Sequence, residues 1–314
     1  MATRHRMSQA KSEKAAYQGW PNCYRLSNDS VDLVVTSDIG PRIMRYGFTG
    51  GENQFREAPE FLGKMGGPEY RSYGGHRLWH APENKPRTYQ HDNSPVEVED
   101  LPGGGLRFRQ PVEQATGIQK EMEVRLGAHG SHVHIFHRLH NRGLWEVETA
   151  PWALSVMAPG GMAIVPLPPR GKHPDNLLPT SSLVLWAYTD LTDPRWYLGK
   201  RYIVLRQDPQ ATTPQKVGMP VADGWAAYLN RRRLFVKKFV HHPGAVYPDM
   251  GSSFECFTSP KMLEMESLAP LGRLAPGSLL EHEEHWYLFD NVALDAVNDD
   301  SIDRVILPLV KDAH

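Results

Sequence analysis

Residues 118–126 read IQKEMEVRL. Ile118, Met122, Val124 and Leu126 share one parity with Lys120, while Gln119, Glu121, Glu123 and Arg125 share the other. Successive side chains of a strand point to opposite sides, so this period of two predicts a strand with one face against a core. The pattern recurs outward from it. His132–Leu139 alternates Val133, Ile135, His137 and Leu139 against His132, His134, Phe136 and Arg138. Upstream, Val31–Thr36 and Arg42–Phe48 are separated by the turn residues Ser37-Asp38-Ile39-Gly40-Pro41. Val96–Glu99 and Leu106–Gln110 flank Pro102-Gly103-Gly104-Gly105 as a hairpin. Downstream, strands are predicted at Val147–Met157, Met162–Leu167, Leu183–Thr189, Tyr202–Gln207, Trp225–Leu229, Leu234–Val240, Ser253–Ser259, Met262–Leu268 and His282–Phe289.

Helical periodicity is scarce. Glu57–Lys64 has room for one or two turns, and Val292–Val310 for a short helix. Many short strands with Gly/Pro turns predict an all-β fold, a sandwich or a barrel, and a single large antiparallel β-sandwich is the expectation adopted. No low-complexity linker divides the chain. The expected organisation is an N-terminal extension over 1–23, the sandwich over 24–290, and a C-terminal tail over 291–314 packed on it.

At 314 residues, 40% hydrophobic and 23% charged, the chain buries a large core without staples. A formal net charge of −1, with Arg231–Arg233 as its one basic run, gives no footprint for nucleic acid. No apolar run approaches the ~18 residues of a membrane span. The polar start MATRHRMSQAKSEK lacks the apolar stretch of a secretory signal. Cys23 and Cys256 are too few for a disulfide framework and are expected to pack as small hydrophobes. A cytoplasmic protein, monomer or homodimer, is the expectation.

Residues 73–83 read YGGHRLWHAPE. His76 and His80 have zinc-helix spacing, but Arg77 stands where HExxH has its glutamate, and Gly74, Gly75 and Pro82 oppose a helix. Two readings remain: a packed glycine-rich turn, or a pocket wall. In the second, Gly74 and Gly75 admit a ligand near the backbone, while His76, Arg77 and His80 donate hydrogen bonds beside Trp79.

In MLEMESL (262–268), Glu264 and Glu266 share a strand face about 7 Å apart, a pair suited to acid–base work or to holding hydroxyls. His132 and His134 share a face, but no local cysteine or carboxylate completes a metal site, so no metal is predicted. His282, Glu284 and Trp286 share one face of their strand, and Glu283 and His285 the other; both sets read as structural. Lys120 at core parity reads as an edge lysine whose amine reaches water. GxSxG, P-loop and strand–GxGxxG–helix patterns are absent from the sequence.

The ordered set of motifs resembles the galactose-mutarotase-like superfamily, which includes the aldose 1-epimerases. It comprises Val31–Thr36 with Gly40-Pro41-Arg42-Ile43 and Gly50-Gly51-Glu52-Asn53, then Tyr73–Trp79, then Leu139-His140-Asn141-Arg142-Gly143. Met262–Glu266 followed by Leu274-Ala275-Pro276-Gly277 completes it. The resemblance implies a supersandwich, a small-molecule carbohydrate in a concave cleft, and no metal or organic cofactor. It carries the late catalytic glutamate onto Glu264, with Glu266 as the alternative register. The mid-chain histidine acid does not carry over: Trp152 stands about there, leaving His76 or His80 as the expected acid. Arg77, Trp79, Trp152, Glu266, Lys237 and Asp249 are the expected substrate-binding residues. A lyase acting on a uronic acid or modified glycoside, and a non-catalytic sugar-binding module, are the alternatives.

Overall fold

A computed structural model of the chain describes residues 10–313. Two antiparallel sheets, of eleven and ten strands, pack face to face. In spatial order the first runs Lys11–Tyr17, Trp20–Ser27, Val31–Thr36, Arg42–Phe48, Gly75–Ala81, Val147–Met157, Met262–Leu268, Phe254–Ser259, Gln215–Met219 and Val184–Leu185. Gly272–Leu274 pairs alongside Val147–Met157. The second sheet runs Trp196–Leu198, Tyr202–Arg206, Met162–Pro166, Trp225–Asn230, Arg233–Phe239, Leu279–Phe289, Val133–Asn141, Ile118–Leu126, Leu106–Arg109 and Glu97–Asp100.

Alternation does what it predicted. Met122, Val124, Val133 and Ile135 face the first sheet and meet Leu33, Val35, Ile43 and Met265 in the core, while Ile118 packs with Leu78, Leu139 and Leu274. Tyr46, Phe55, Phe235 and Trp286 interlock there, ring centroids 5.3–6.4 Å apart, within the range of offset and edge contacts. The outer parity of the same strands forms a charged ladder. Arg107 and Arg138 bind Glu123 at 2.6 Å each, and Arg109 binds Glu121 at 2.8 Å.

Four expectations are corrected. Residues 73–83 are not a turn: Gly75–Ala81 is a central strand, buried along its whole length. A strand covered on both faces loses the alternation of polarity by which strands are read. Its glycines admit protein, not ligand: a Cβ on Gly74 would lie 2.0 Å from the Arg56 carbonyl oxygen, and one on Gly75 2.6 Å from that of Ile43. Within the expected extension, residues 11–23 belong to the sheet as Lys11–Tyr17 and the start of Trp20–Ser27; residues 1–9, with most of the segment read for a targeting signal, lie outside the described residues. Glu57–Lys64 forms successive turns rather than a helix, with Phe61 N bonded to Ala58 O and Lys64 N to Phe61 O. Lys120 does not reach water; its ammonium lies 2.6 Å from buried Glu113.

The tail carries the helix Asp299–Asp312, started by Asn298, whose side chain accepts from Ser301 N. Ile302, Ile306 and Val310, one face at spacing four, cover Tyr202, Trp225, Val236 and Tyr287 on the outer side of the second sheet. No described helix is long and apolar enough to cross a membrane.

Candidate active site

The site grows from register. Leu263 and Met265 enter the core, so Glu264 and Glu266 stand on the outer face of the first sheet. Pairing carries that parity across neighbours. Glu266 is opposite Leu154 and Glu255, Leu154 is opposite Arg77, and Trp152 is opposite Trp79. Phe257 is opposite both Glu264 and Lys216. One face thus gathers Arg77, Trp79, Trp152, Lys216, Glu255, Glu264 and Glu266.

Two adjoining cavities share Glu83, Tyr89, Trp152 and Lys216 and form one cleft. The part of about 270 Å³ is lined by Tyr70, Arg77, Trp79, Tyr188 and Glu264. The part of about 340 Å³ is lined by Asn84, Trp186, Asp249 and Glu255. Arg77 Nη2 lies 3.3 Å from Glu264 Oε1, and its guanidinium stacks 4.5 Å from the Trp79 ring centre. Lys216 Nζ lies 2.6 Å from Glu255 and 2.9 Å from Glu266, over Trp152 and Trp186. Trp152 Nε1 donates to Glu266 at 3.0 Å.

Burial pushes the Glu264 carboxyl up, against the pull of Arg77. Burial likewise raises Glu255 well above the carboxylate range, against Lys216. Lys216 keeps its proton: burial opposes the charge, but Glu255 and Glu266 outweigh it. The surroundings of Glu255 thus favour its protonated form. Several buried polar atoms here have no hydrogen-bond partner among the described residues: Arg77 Nε and Nη1, Glu266 Oε1, and Glu255 Oε1 and Oε2. Glu255 Oε2 approaches Lys216 without hydrogen-bond alignment.

No family model matches the sequence, and no curated protein does. Solved structures do match. A galactose mutarotase-like protein from Lactobacillus casei superposes with a TM-score of 0.52 at 9% identity, over 85% of this chain and all of that one (100%). A galactose mutarotase related enzyme from Lactobacillus acidophilus gives 0.52 at 10% identity, over 86% and 98%. The Slr1438 protein from Synechocystis gives 0.52 at 12% identity, over 89% and 99%. The chain has the galactose-mutarotase-like fold.

Within this mutarotase-like sandwich, the expected site residues separate. Arg77, Trp79, Trp152, Glu264 and Glu266 converge in the cleft, and Asp249 lies on its wall. His76 and His80 do not join them: with Arg77 and Trp79 outward, strand parity sends both imidazoles into the sandwich. His76 Nδ1 lies 2.8 Å from Ser155 Oγ and its Nε2 2.7 Å from His137 Nε2. His80 Nε2 lies 3.3 Å from Glu113, the partner of Lys120. Lys237 is likewise interior, fully buried, 2.9 Å from Glu284, and donates to Met265 O.

Among the cleft residues that escaped the sequence reading are Tyr70, Tyr89, Trp186, Lys216 and Glu255. Glu255 carried a signal, a carboxylate between Phe254 and Cys256 in an apolar strand. Lys216 carried a weaker one before Val217. The aromatic three lie outside the strands, on segments that only tertiary packing brings over the sheet.

Proposed function

We propose that the cleft binds a monosaccharide ring and that the protein exchanges its anomers, as an aldose 1-epimerase does. One observation carries the reading. A buried carboxyl with a raised pKa, Glu264, stands beside Arg77 in a cleft walled by Tyr70, Trp79, Tyr89 and Trp152, with unpartnered polar atoms around it. Apolar ring faces set against a few convergent polar groups are what a pyranose, with C–H faces and a hydroxyl rim, demands.

In this reading Glu264 takes the proton of the anomeric hydroxyl while the bond from C1 to the ring oxygen breaks. A protonated acid gives its proton to that oxygen, yielding the open-chain aldehyde. Rotation about C1–C2 and the reverse transfers give the other anomer. With no histidine in the described cleft, protonated Glu255 takes the acid's part. As diagonal cross-strand neighbours, Glu255 and Glu264 lie about 7–8 Å apart, room to flank a ring. No step calls for a cofactor.

Arg77 brings to the cleft a cation with two unpartnered nitrogens, which favours a sugar bearing a carboxylate. Exchange NMR on a panel of neutral aldoses and uronic acids tests both points. Anomer exchange above the buffer rate, lost in Glu264→Gln, is expected. Saturable binding with no accelerated exchange across the panel would leave a binding module instead. A uronate converted to an unsaturated product would leave a lyase.

A further inference from the structure

The outer face of the second sheet, on the opposite side of the molecule from the cleft, holds a cluster that the proposed chemistry does not use. His132 and His134 project from Val133–Asn141 and the residue before it; Glu283 and His285 project from Leu279–Phe289, with His285 directly opposite His134. His134 Nε2 and His285 Nε2 converge on a single atom, Glu283 Oε1, at 2.5 and 3.2 Å. All three donor atoms lie within 4.8 Å of one another, and their side chains are partly open to solvent. His285 Nδ1 lies 2.9 Å from His132 Nε2, and His132 is itself stacked on Tyr287 with ring centres 4.9 Å apart. Phe136 walls His134 at 4.4 Å. The neighbouring cation, Lys238, is turned away onto Ala313 O and the Tyr287 ring.

We infer that this cluster is a binding site for a divalent transition-metal ion of the zinc and copper class. His134 Nε2, His285 Nε2 and Glu283 Oε1 are the ligands, and His132 is the outer hydrogen-bond partner that orients His285. Two imidazoles and one carboxylate meeting at one point is a donor set such ions prefer, and three protein ligands leave a position open to water or a small anion. The His132 contact is the kind that fixes a metal ligand: with the proton on His285 Nδ1 shared to His132, the His285 Nε2 lone pair is free for the ion. A second group, His76, His137 and Glu284, has similar composition but a different state. Its two Nε2 atoms already hydrogen-bond to each other at 2.7 Å, Glu284 is neutralised by Lys237 at 2.9 Å, and no solvent reaches it. The outer cluster has the solvent access that the inner one lacks, and its three donor atoms are engaged with one another rather than with a lysine.

The test uses tag-free, full-length protein stripped of metal, titrated with zinc against a chromophoric chelator, with copper(II) electron paramagnetic resonance as a second readout. Saturable binding of one ion per chain is expected, with nitrogen hyperfine coupling from two imidazoles. His134→Gln, Glu283→Gln and His285→Gln each weaken zinc binding more than tenfold, and His132→Phe by about 10–100-fold, the usual effect of removing an outer partner. Unfolding curves without zinc show that the variants stay folded. No saturable uptake by the wild type, or equal uptake by the His134→Gln/His285→Gln double variant, overturns the site.

Discussion

At the residue scale, the chemistry rests on where burial leaves protons. Glu264→Gln keeps the shape and hydrogen-bonding capacity of the side chain but cannot move a proton. Anomer exchange should fall about 10²–10⁴-fold, the range for a lost general base, with folding intact by circular dichroism. Glu255 gives a prediction of opposite sign for stability. Its folded pKa is raised, so the stability linked to its proton is present below the unfolded carboxyl range and is lost as pH rises through the folded value. Glu255→Gln mimics the protonated form. Its melting temperature should equal or exceed that of the wild type at neutral pH, with the gap closing as pH falls towards 4.5, while exchange activity is lost. A variant less stable than the wild type at pH 7 would show that Glu255 is ionised there.

At the element scale, the strand Gly75–Ala81 joins both halves of the molecule's polar chemistry: Arg77 and Trp79 face the cleft, while His76 and His80 face the interior. Its entry depends on Gly74, at φ +95°, pressed on the Arg56 carbonyl. Gly74→Ala brings a clash that no side-chain movement relieves, so it should destabilise by far more than the ~1 kcal/mol of an ordinary glycine replacement, read in urea midpoints. On the facing sheet, Lys237→Ala leaves Glu284 charged and unpaired inside the sandwich. Breaking such a pair costs about 3–5 kcal/mol, whereas residues outside the buried network should move stability little. The strand also shows where reading by sequence ends. Val31–Thr36, Ile118–Leu126, Val147–Met157 and Met262–Leu268 have the bounds that period two assigns them. Gly75–Ala81 does not announce itself, because polar residues lie on both of its covered faces.

At the scale of the whole molecule, the two sheets enclose a polar seam as well as an apolar core. His76, His137 and His282 meet there with Ser155, Ser267, Lys237 and Glu284, and Ser267 hydrogen-bonds Glu284. Burial holds all three histidines below the imidazole range, His137 down to about 4 and His282 to about 3. A depressed folded pKa contributes stability that is present above the unfolded value, about 6.5, and lost as pH falls through the folded one. Unfolding free energy should therefore drop steadily from pH 6.5 towards 4. His137→Phe, if it packs, should flatten that slope; an unchanged slope would assign it to other groups.

The sequence by itself determined what repeats with the backbone's own period. Alternation settled the all-β class, and it put Glu264 beside Glu266 and His132 beside His134, because residues two apart in a strand share a face whatever lies around them. Only the tertiary structure decided which partners meet those faces. Glu255 reaches Glu266 from the adjacent strand and Lys216 from the strand beyond it, Glu283 and His285 reach His134 from about 150 residues away, and His76 turns inward while Arg77 turns to the cleft. Parity fixes that two neighbours on a strand face opposite ways. Which of those ways is core and which is cleft depends on long-range strand order and on the second sheet, and no local pattern carries either.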